Sequence, residues 1–306
     1  MKSIRIHSFG GSDVLQLDEA PAPRPAAGQV LIQVRAAGVN PVDGKIRSGS
    51  FRKEETRLPA ALGRDVAGVV EAVGAGVKSL DVGDDVYAFL GEHSGGYSEY
   101  ALADEQEVAR KPVSLDYVQA AAVPLAATTA WQALFDHGHL QRGQRVLIHG
   151  GAGGVGNYAI QFAKVRGARV FTTGKAEDGE LLRSLGADEV IDYESERFEE
   201  RARDMDLVID LIGGEIQARS WTCVRDGGAL VSTLEKPSEK EAAARHARAA
   251  VFMAKPTASQ LSEIAGLIDD GKVRVVIEAT YPLAEARDAH DRLEHEHTQG
   301  KIVLTV

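Results

Sequence analysis

The chain has 306 residues, with 35 basic and 45 acidic side chains and a formal net charge of −10. Hydrophobic residues make up 44% and charged residues 26%, a globular balance that excludes disordered and fibrous classes. The acidity disfavours nucleic acid or an anionic membrane as a partner, and the single Cys223 excludes an internal disulfide or a multi-cysteine metal cage. No apolar run approaches the ~20 residues that span a bilayer. Arg5 and His7 interrupt the opening segment before it could form a signal core, so a cytoplasmic location is expected.

Along the chain, seven of the ten prolines lie at or before Pro124, and the next is Pro237. The first stretch carries turn signals at 21–25, Asn40-Pro41, Leu58-Pro59, 74–76 and 82–84, with apolar runs at 30–34 and 66–70 between them. This spacing predicts a mostly antiparallel β domain. From residue 145 the pattern changes. Strands are predicted over 145–149, 168–172, 190–191, 206–210 and 228–232, alternating with helices over 155–165 and 180–185. That alternation predicts a parallel, doubly wound sheet, so the fold class is α/β. A helix over 261–268 and a strand over 301–306 close the chain.

The segment His149-Gly150-Gly151-Ala152-Gly153-Gly154-Val155-Gly156 follows a strand and opens a helix. Gly151, Gly153 and Gly156 fit G-x-G-x-x-G: one glycine for the tight turn, one for close approach of a pyrophosphate, one for helix–strand packing. The helix N-terminus offers free N–H groups to the anion. Twenty residues on, where an NAD site places a carboxylate, stands Phe171, followed by Thr172-Thr173-Gly174-Lys175. Hydroxyls and a cation accept a 2′-phosphate that a carboxylate would repel, so NADPH is expected over NADH, with Thr173, Gly174 and Lys175 near the phosphate. The alternative is that Lys175 is a solvated loop lysine.

The chain resembles the zinc-independent quinone oxidoreductases of the medium-chain dehydrogenase/reductase superfamily over nearly its whole length. The matching segments are Gly38-Val39-Asn40-Pro41-Val42-Asp43, then 62–77, 82–89, 95–103, 121–134, the glycine loop, 185–193 and 300–304. The resemblance implies a GroES-like β-barrel-type domain from residues 1–123 and 258–306, and a Rossmann domain from 124–257. It also implies an active cleft between them and a homodimer.

The zinc enzymes of that superfamily need Cys near position 40 and His-Glu at 64–65, whereas this chain has Asn40 and Arg64-Asp65. A guanidinium does not lose a proton to bind zinc, so no metal site is expected. Without a metal to hold an alkoxide, the chemistry points to an acceptor whose anion is already delocalised: a quinone or an α,β-unsaturated carbonyl.

Asn40 is the first candidate for donating to an acceptor carbonyl, set against a turn role before Pro41. Asp43 could orient neighbouring groups or cap the following helix. Lys45 could donate to a developing enolate or be solvated; it and Phe51 stand where many relatives carry aromatic residues. By resemblance, Thr128 or Thr129 reaches the nicotinamide region, with a helix cap as the alternative. Tyr193 is expected by resemblance to touch the adenosine end, Ile212 and Gly213 to border the cofactor after the fourth strand, and the backbone of Val251-Phe252-Met253 to clamp the carboxamide, with a core strand as the alternative for that segment. Cys223 reads as a buried apolar residue in a helical stretch. The expected function is NADPH-dependent hydride transfer to a small electrophile. The alternative is an NADPH-binding sensor or structural protein with little turnover.

Overall fold

The structure, a computed structural model, describes residues 1–51, 57–91 and 95–306. The chain forms two compact units, one from Met1–Thr128 with Lys255–Val306 and the other from Thr129–Ala254.

The second unit is built on a six-stranded sheet whose strands pair in parallel throughout. In spatial order these are Glu189–Asp192, Arg169–Gly174, Arg145–Ile148, Met205–Asp210, Val224–Ser232 and Arg248–Val251. The chain starts at Arg145–Ile148, winds outward to one side, then returns and winds outward to the other. The strand order therefore reverses beside that first strand, the place where doubly wound sheets bind ligands. Helices Gly154–Val165, Gly179–Ser184 and Gly214–Ser220 are crossovers. Leu147, Phe171, Trp221 and Leu230 are buried in one core cluster, each contributing about 1.5–3 kcal/mol from removal of apolar area from water.

The first unit holds a seven-stranded sheet in which Gln29–Val39 is the long central strand. It pairs antiparallel with Asp65–Val73, Tyr100–Asp104 and Lys301–Thr305. A smaller sheet orders Leu15–Glu19, Lys2–Ile6 and Ala60–Ala61. The core packs Ile4, Ile32, Val66, Leu90, Tyr97 and Ile302 together, so residues near both ends of the chain share one interior. This is the GroES-like half of an α/β protein. One strand pair, Ile277–Pro282 with Lys301–Thr305, is parallel.

Two local expectations need correction. Cys223 is not helical: the preceding helix ends at Ser220, and Cys223 sits in the turn before the strand Val224–Ser232. Its thiol is buried and pushed up to about 11 by loss of solvent, so it is inert as a nucleophile. The charged, alanine-rich stretch 234–250 is helix-prone by composition, but it is not helical throughout. Its helix covers only Glu239–Ala244, and Arg248–Val251 then adds the edge strand of the parallel sheet.

Candidate active site

Gly151 and Gly156 have no room for a side chain. A Cβ on Gly156 would lie 2.1 Å from Gly150 O, and one on Gly151 would lie 2.1 Å from Thr172 Oγ1. Gly153 differs: its only neighbour within van der Waals range is Gly150 O at 3.5 Å, so space is open in front of it. Gly153 is the N-cap of helix Gly154–Val165 and no side chain caps that end. The Asn157 N–H closes the first helical turn onto Gly153 O, which leaves the N–H groups of the turn before it without intrahelical partners. Gly153, Gly154 and Val155 are partly exposed while Ala152 is buried. An uncapped helix end behind an open glycine fits a pyrophosphate.

The loop is pinned from behind by His149, which sequence reading passed over. Its ring is 1% exposed and bridges Thr173 Oγ1 at 3.2 Å and Ser220 Oγ at 2.9 Å. Ser220 donates to Ile216 O, so it accepts from His149 Nε2. Thr173 Oγ1 accepts the Gly150 N–H at 3.2 Å and gives its own hydrogen to Nδ1. Every proton in this chain has one place, and the ring is neutral: burial lowers its pKa to about 4.

The expected phosphate end changes in one respect. The Thr173 hydroxyl is committed inward to His149 and Gly150, and the residue is 4% exposed, so it does not face a 2′-phosphate. Gly174 is buried, with a would-be Cβ 2.6 Å from Leu182. Lys175 and Tyr193 remain at the surface. Tyr193 is 47% exposed, its N–H bonds Gly174 O, and the Lys175 ammonium acts on its phenol. The carboxylate of Asp178 is buried and accepts the Lys175 backbone N–H at 2.8 Å; it closes the turn.

Beyond the strand Met205–Asp210, buried Asp210 anchors the next loop. Its Oδ1 accepts from Ile212 N–H and Gly213 N–H, and its Oδ2 from Ser232 and Gln217. Gly213 needs its glycine, with φ +79°. Ile212 is 52% exposed, and a Cβ on Gly150 would meet its Cδ1 at 3.1 Å. The two loops at the carboxyl ends of neighbouring strands thus touch. Phe252 stacks on His137 with centroids 4.3 Å apart, and its N–H bonds Ser232 O.

In the first unit, Asn40 and Asp43 lie in a buried polar cluster. The Asn40 side chain is wholly engaged. Its Nδ2 donates to Asp65 Oδ2 at 2.9 Å and weakly to Gly38 O at 3.4 Å, and its Oδ1 accepts from Lys301 Nζ. Asp43 is fully buried at the third position of helix Pro41–Ser48. Its Oδ2 accepts the Asn40 backbone N–H at 2.9 Å and the Tyr97 hydroxyl at 2.8 Å. Asp43 therefore does cap its helix, and burial raises its pKa to about 6. Lys301 also bonds Val39 O and stands 3.5 Å from Asp65. Burial pulls both members of this pair toward neutrality, and their mutual attraction opposes it.

Lys45 is not part of the cluster. Asp43 and Arg47 occupy the buried face of the helix, and Lys45, two positions from each, is exposed. Thr128 and Thr129 do not cap a helix: Pro124 starts the helix Pro124–Trp131, so both lie inside it. Thr128 is fully buried and its Oγ1 has no hydrogen-bond partner, an orphan that suits a polar group of a bound cofactor.

Asp65, Tyr97, Lys301 and the supporting pair Arg47 and His290 were missed as site residues by sequence reading. The signal for Lys301 was present: a cation at the head of the apolar run Ile302-Val303-Leu304 must find a partner once that strand is buried. Among the described residues, no group of three His, Cys, Asp or Glu converges as metal ligands would.

Comparison with known proteins agrees with this architecture. Residues 26–113 match the alcohol dehydrogenase GroES-like domain and residues 185–304 match the zinc-binding dehydrogenase domain. The chain is 37% identical to the chloroplastic NADPH-dependent alkenal/one oxidoreductase of Arabidopsis thaliana, over 99% of this chain and 79% of that protein. It superposes on the quinone oxidoreductase of Coxiella burnetii with a TM-score of 0.93 at 36% identity, covering 100% of this chain and 99% of that one. The Escherichia coli quinone oxidoreductase complexed with NADPH gives a TM-score of 0.90 at 30% identity, with both chains fully covered. The glycine cradle at the sheet's switch point, the GroES-like unit shared by distant chain segments and the full-length likeness to these enzymes place the chain in the quinone oxidoreductase family of the medium-chain dehydrogenase/reductase superfamily.

Proposed function

We propose that this chain is an NADPH-dependent reductase that adds hydride to a quinone or an α,β-unsaturated carbonyl compound without a bound metal. The observation that carries the reading is the cradle: an uncapped helix end behind Gly153, a loop glycine with open space before it. NADPH, when bound, supplies the hydride. The chain's own residues bind and orient. Gly151 to Gly156 take the pyrophosphate, Lys175 and Tyr193 take the adenosine phosphate end, and Ile212, Gly213 and Phe252 border the nicotinamide side with Thr128. The relatives act on alkenals, enones or quinones by name, and the anion formed on such acceptors is delocalised onto oxygen. Hydrogen-bond donors suffice to hold it, and Arg64 stands where a zinc-ligand histidine would be required.

Residues 1–123 and 258–306 form the catalytic domain in this reading, and residues 124–257 the cofactor domain. The single buried thiol suits a reducing compartment, consistent with the cytoplasm. No helix among the described residues is long and apolar enough to cross a membrane. Edge strand Arg248–Val251 has one unpaired side, and Val251 and Met253 beside it are 43% and 58% exposed, which suits pairing of two copies into a homodimer.

Stopped-flow loss of NADPH absorbance with benzoquinone, short alkenals and enones tests the activity. Reduction of at least one class, faster with NADPH than with NADH, is expected, and Lys175→Ala should shrink the preference between the two cofactors. Tight NADPH binding with no turnover on any acceptor would instead favour a sensor.

A further inference from the structure

Reduction of an enone by hydride needs one proton as well, and the buried cluster of the first unit contains a group with the means to hold it. The charges can be paired off. Arg47, 4% exposed, is matched by Glu294 at 2.9 Å and also donates to His290 Nδ1 at 3.0 Å and Gly10 O. Lys301 is matched by Asp65, whose other oxygen accepts the Leu125 N–H at 2.7 Å. Among the described residues no cation forms an ion pair with Asp43, and only the already matched Lys301 favours its charged form. Its Oδ2 has two donors, but its Oδ1 is buried with no partner. Ionised, Asp43 would be a second buried carboxylate beside Asp65 with Lys301 shared between them, so burial favours the neutral acid, with its hydrogen on Oδ1.

We propose that Asp43 holds, and delivers to the acceptor, the proton that completes reduction. The proposal rests on the reductase reading above. In the step, the electron pair arrives with the hydride at the β-carbon. The O–H bond at Asp43 breaks and an O–H bond forms on the acceptor oxygen. Asp43 is left as a carboxylate, steadied by the Tyr97 hydroxyl and the Asn40 backbone N–H until solvent returns the proton. The enol released then tautomerises in water. The groups that face Asp43 all bear on its titration. Burial first, and then Asp65, favour the acid, while Tyr97, the Asn40 N–H and Lys301 favour the carboxylate. Arg47 and His290 stand behind Tyr97, with the His290 ring edge-on to the phenol.

The test has two arms. Carbon-13 spectra of aspartate-labelled protein without cofactor should show one carboxyl resonance titrating near pH 6, lost in Asp43→Asn. The pH profile of kcat/KM for methyl vinyl ketone with NADPH should fall about tenfold per pH unit above that point. Asp43→Asn, whose amide oxygen can still accept from Tyr97 and Asn40, should keep wild-type NADPH affinity, lose about a hundredfold in kcat/KM and lose the alkaline limb. Tyr97→Phe removes a donor to the carboxylate and should move the limb to higher pH. A limb unchanged in an Asp43→Asn protein that binds NADPH normally overturns the proposal. So does a resonance in the ordinary carboxylate range. If no acceptor is reduced at all, the reductase reading fails and takes the proton's destination with it. That outcome is told apart by the resonance, which would still titrate near neutrality.

Discussion

Gly153 and Gly156 look alike in the sequence motif, yet the structure assigns them different reasons for being glycine. Substituting alanine at each separates the two reasons. At Gly156 the added methyl would sit 2.1 Å from Gly150 O and 2.7 Å from Gly151 Cα, so helix and loop must part by about 1 Å to reach ordinary contact. Overpacking against backbone costs about 1–3 kcal/mol, which lowers the melting temperature of a chain this size by roughly 2–5 °C. At Gly153 the backbone is extended (φ −69°, ψ 173°) and the nearest atom is 3.5 Å away. Alanine there gains about 0.4–1 kcal/mol from a less free unfolded chain and loses a similar amount as a poor N-cap. The net change in stability is about zero. The methyl does occupy the space in front of the helix end, and a cost of about 1.4–2.8 kcal/mol to a pyrophosphate corresponds to about 10–100-fold weaker NADPH binding. Thermal melts and NADPH fluorescence titrations read both quantities. Gly153→Ala should melt like wild type and bind NADPH poorly, whereas Gly156→Ala should be impaired in both. Wild-type NADPH affinity in Gly153→Ala would refute the placement of the pyrophosphate.

His149 is buried neutral with a pKa near 4, against about 6.5 in an unfolded chain. The unfolded state binds more protons between those values, so stability rises with pH across that window, by about 3 kcal/mol from this residue. Urea midpoints at several pH values should show a smaller rise in His149→Asn than in wild type, and an equal rise in both would contradict the assignment. Lys301→Met leaves Asp65 buried without its cation and should cost about 3–5 kcal/mol in urea unfolding. Adding Asp65→Asn should recover most of the loss, and a single variant within 1 kcal/mol of wild type would show that the pair does not hold the cluster.

What the sequence disclosed followed from the range of the interactions involved. The glycine loop is local: strand, turn and helix N-terminus lie within one short stretch, and motif and periodicity were enough to place it. The alternation of strands and helices after residue 145 was legible for the same reason. The first-unit cluster was not, because Asn40 meets Asp65 at a sequence separation of 25 and Lys301 at one of 261. No local pattern encodes such pairs. Thr173 was misread because its strand is buried on both faces, so alternation gave no inside and outside to choose between. Only the helix-cap alternative for Thr128 fails, because Pro124 already starts the helix that contains it.

The shared first unit has a consequence for the order in which the protein can be made. During synthesis, residues 129–254 emerge with every strand of their own sheet in hand, whereas Gln29–Val39 waits for Lys301–Thr305, which lies against it. Until then the nascent barrel lacks both a neighbouring strand and the ammonium that neutralises Asp65, so the inserted unit can mature on the ribosome while the segment translated first is finished last.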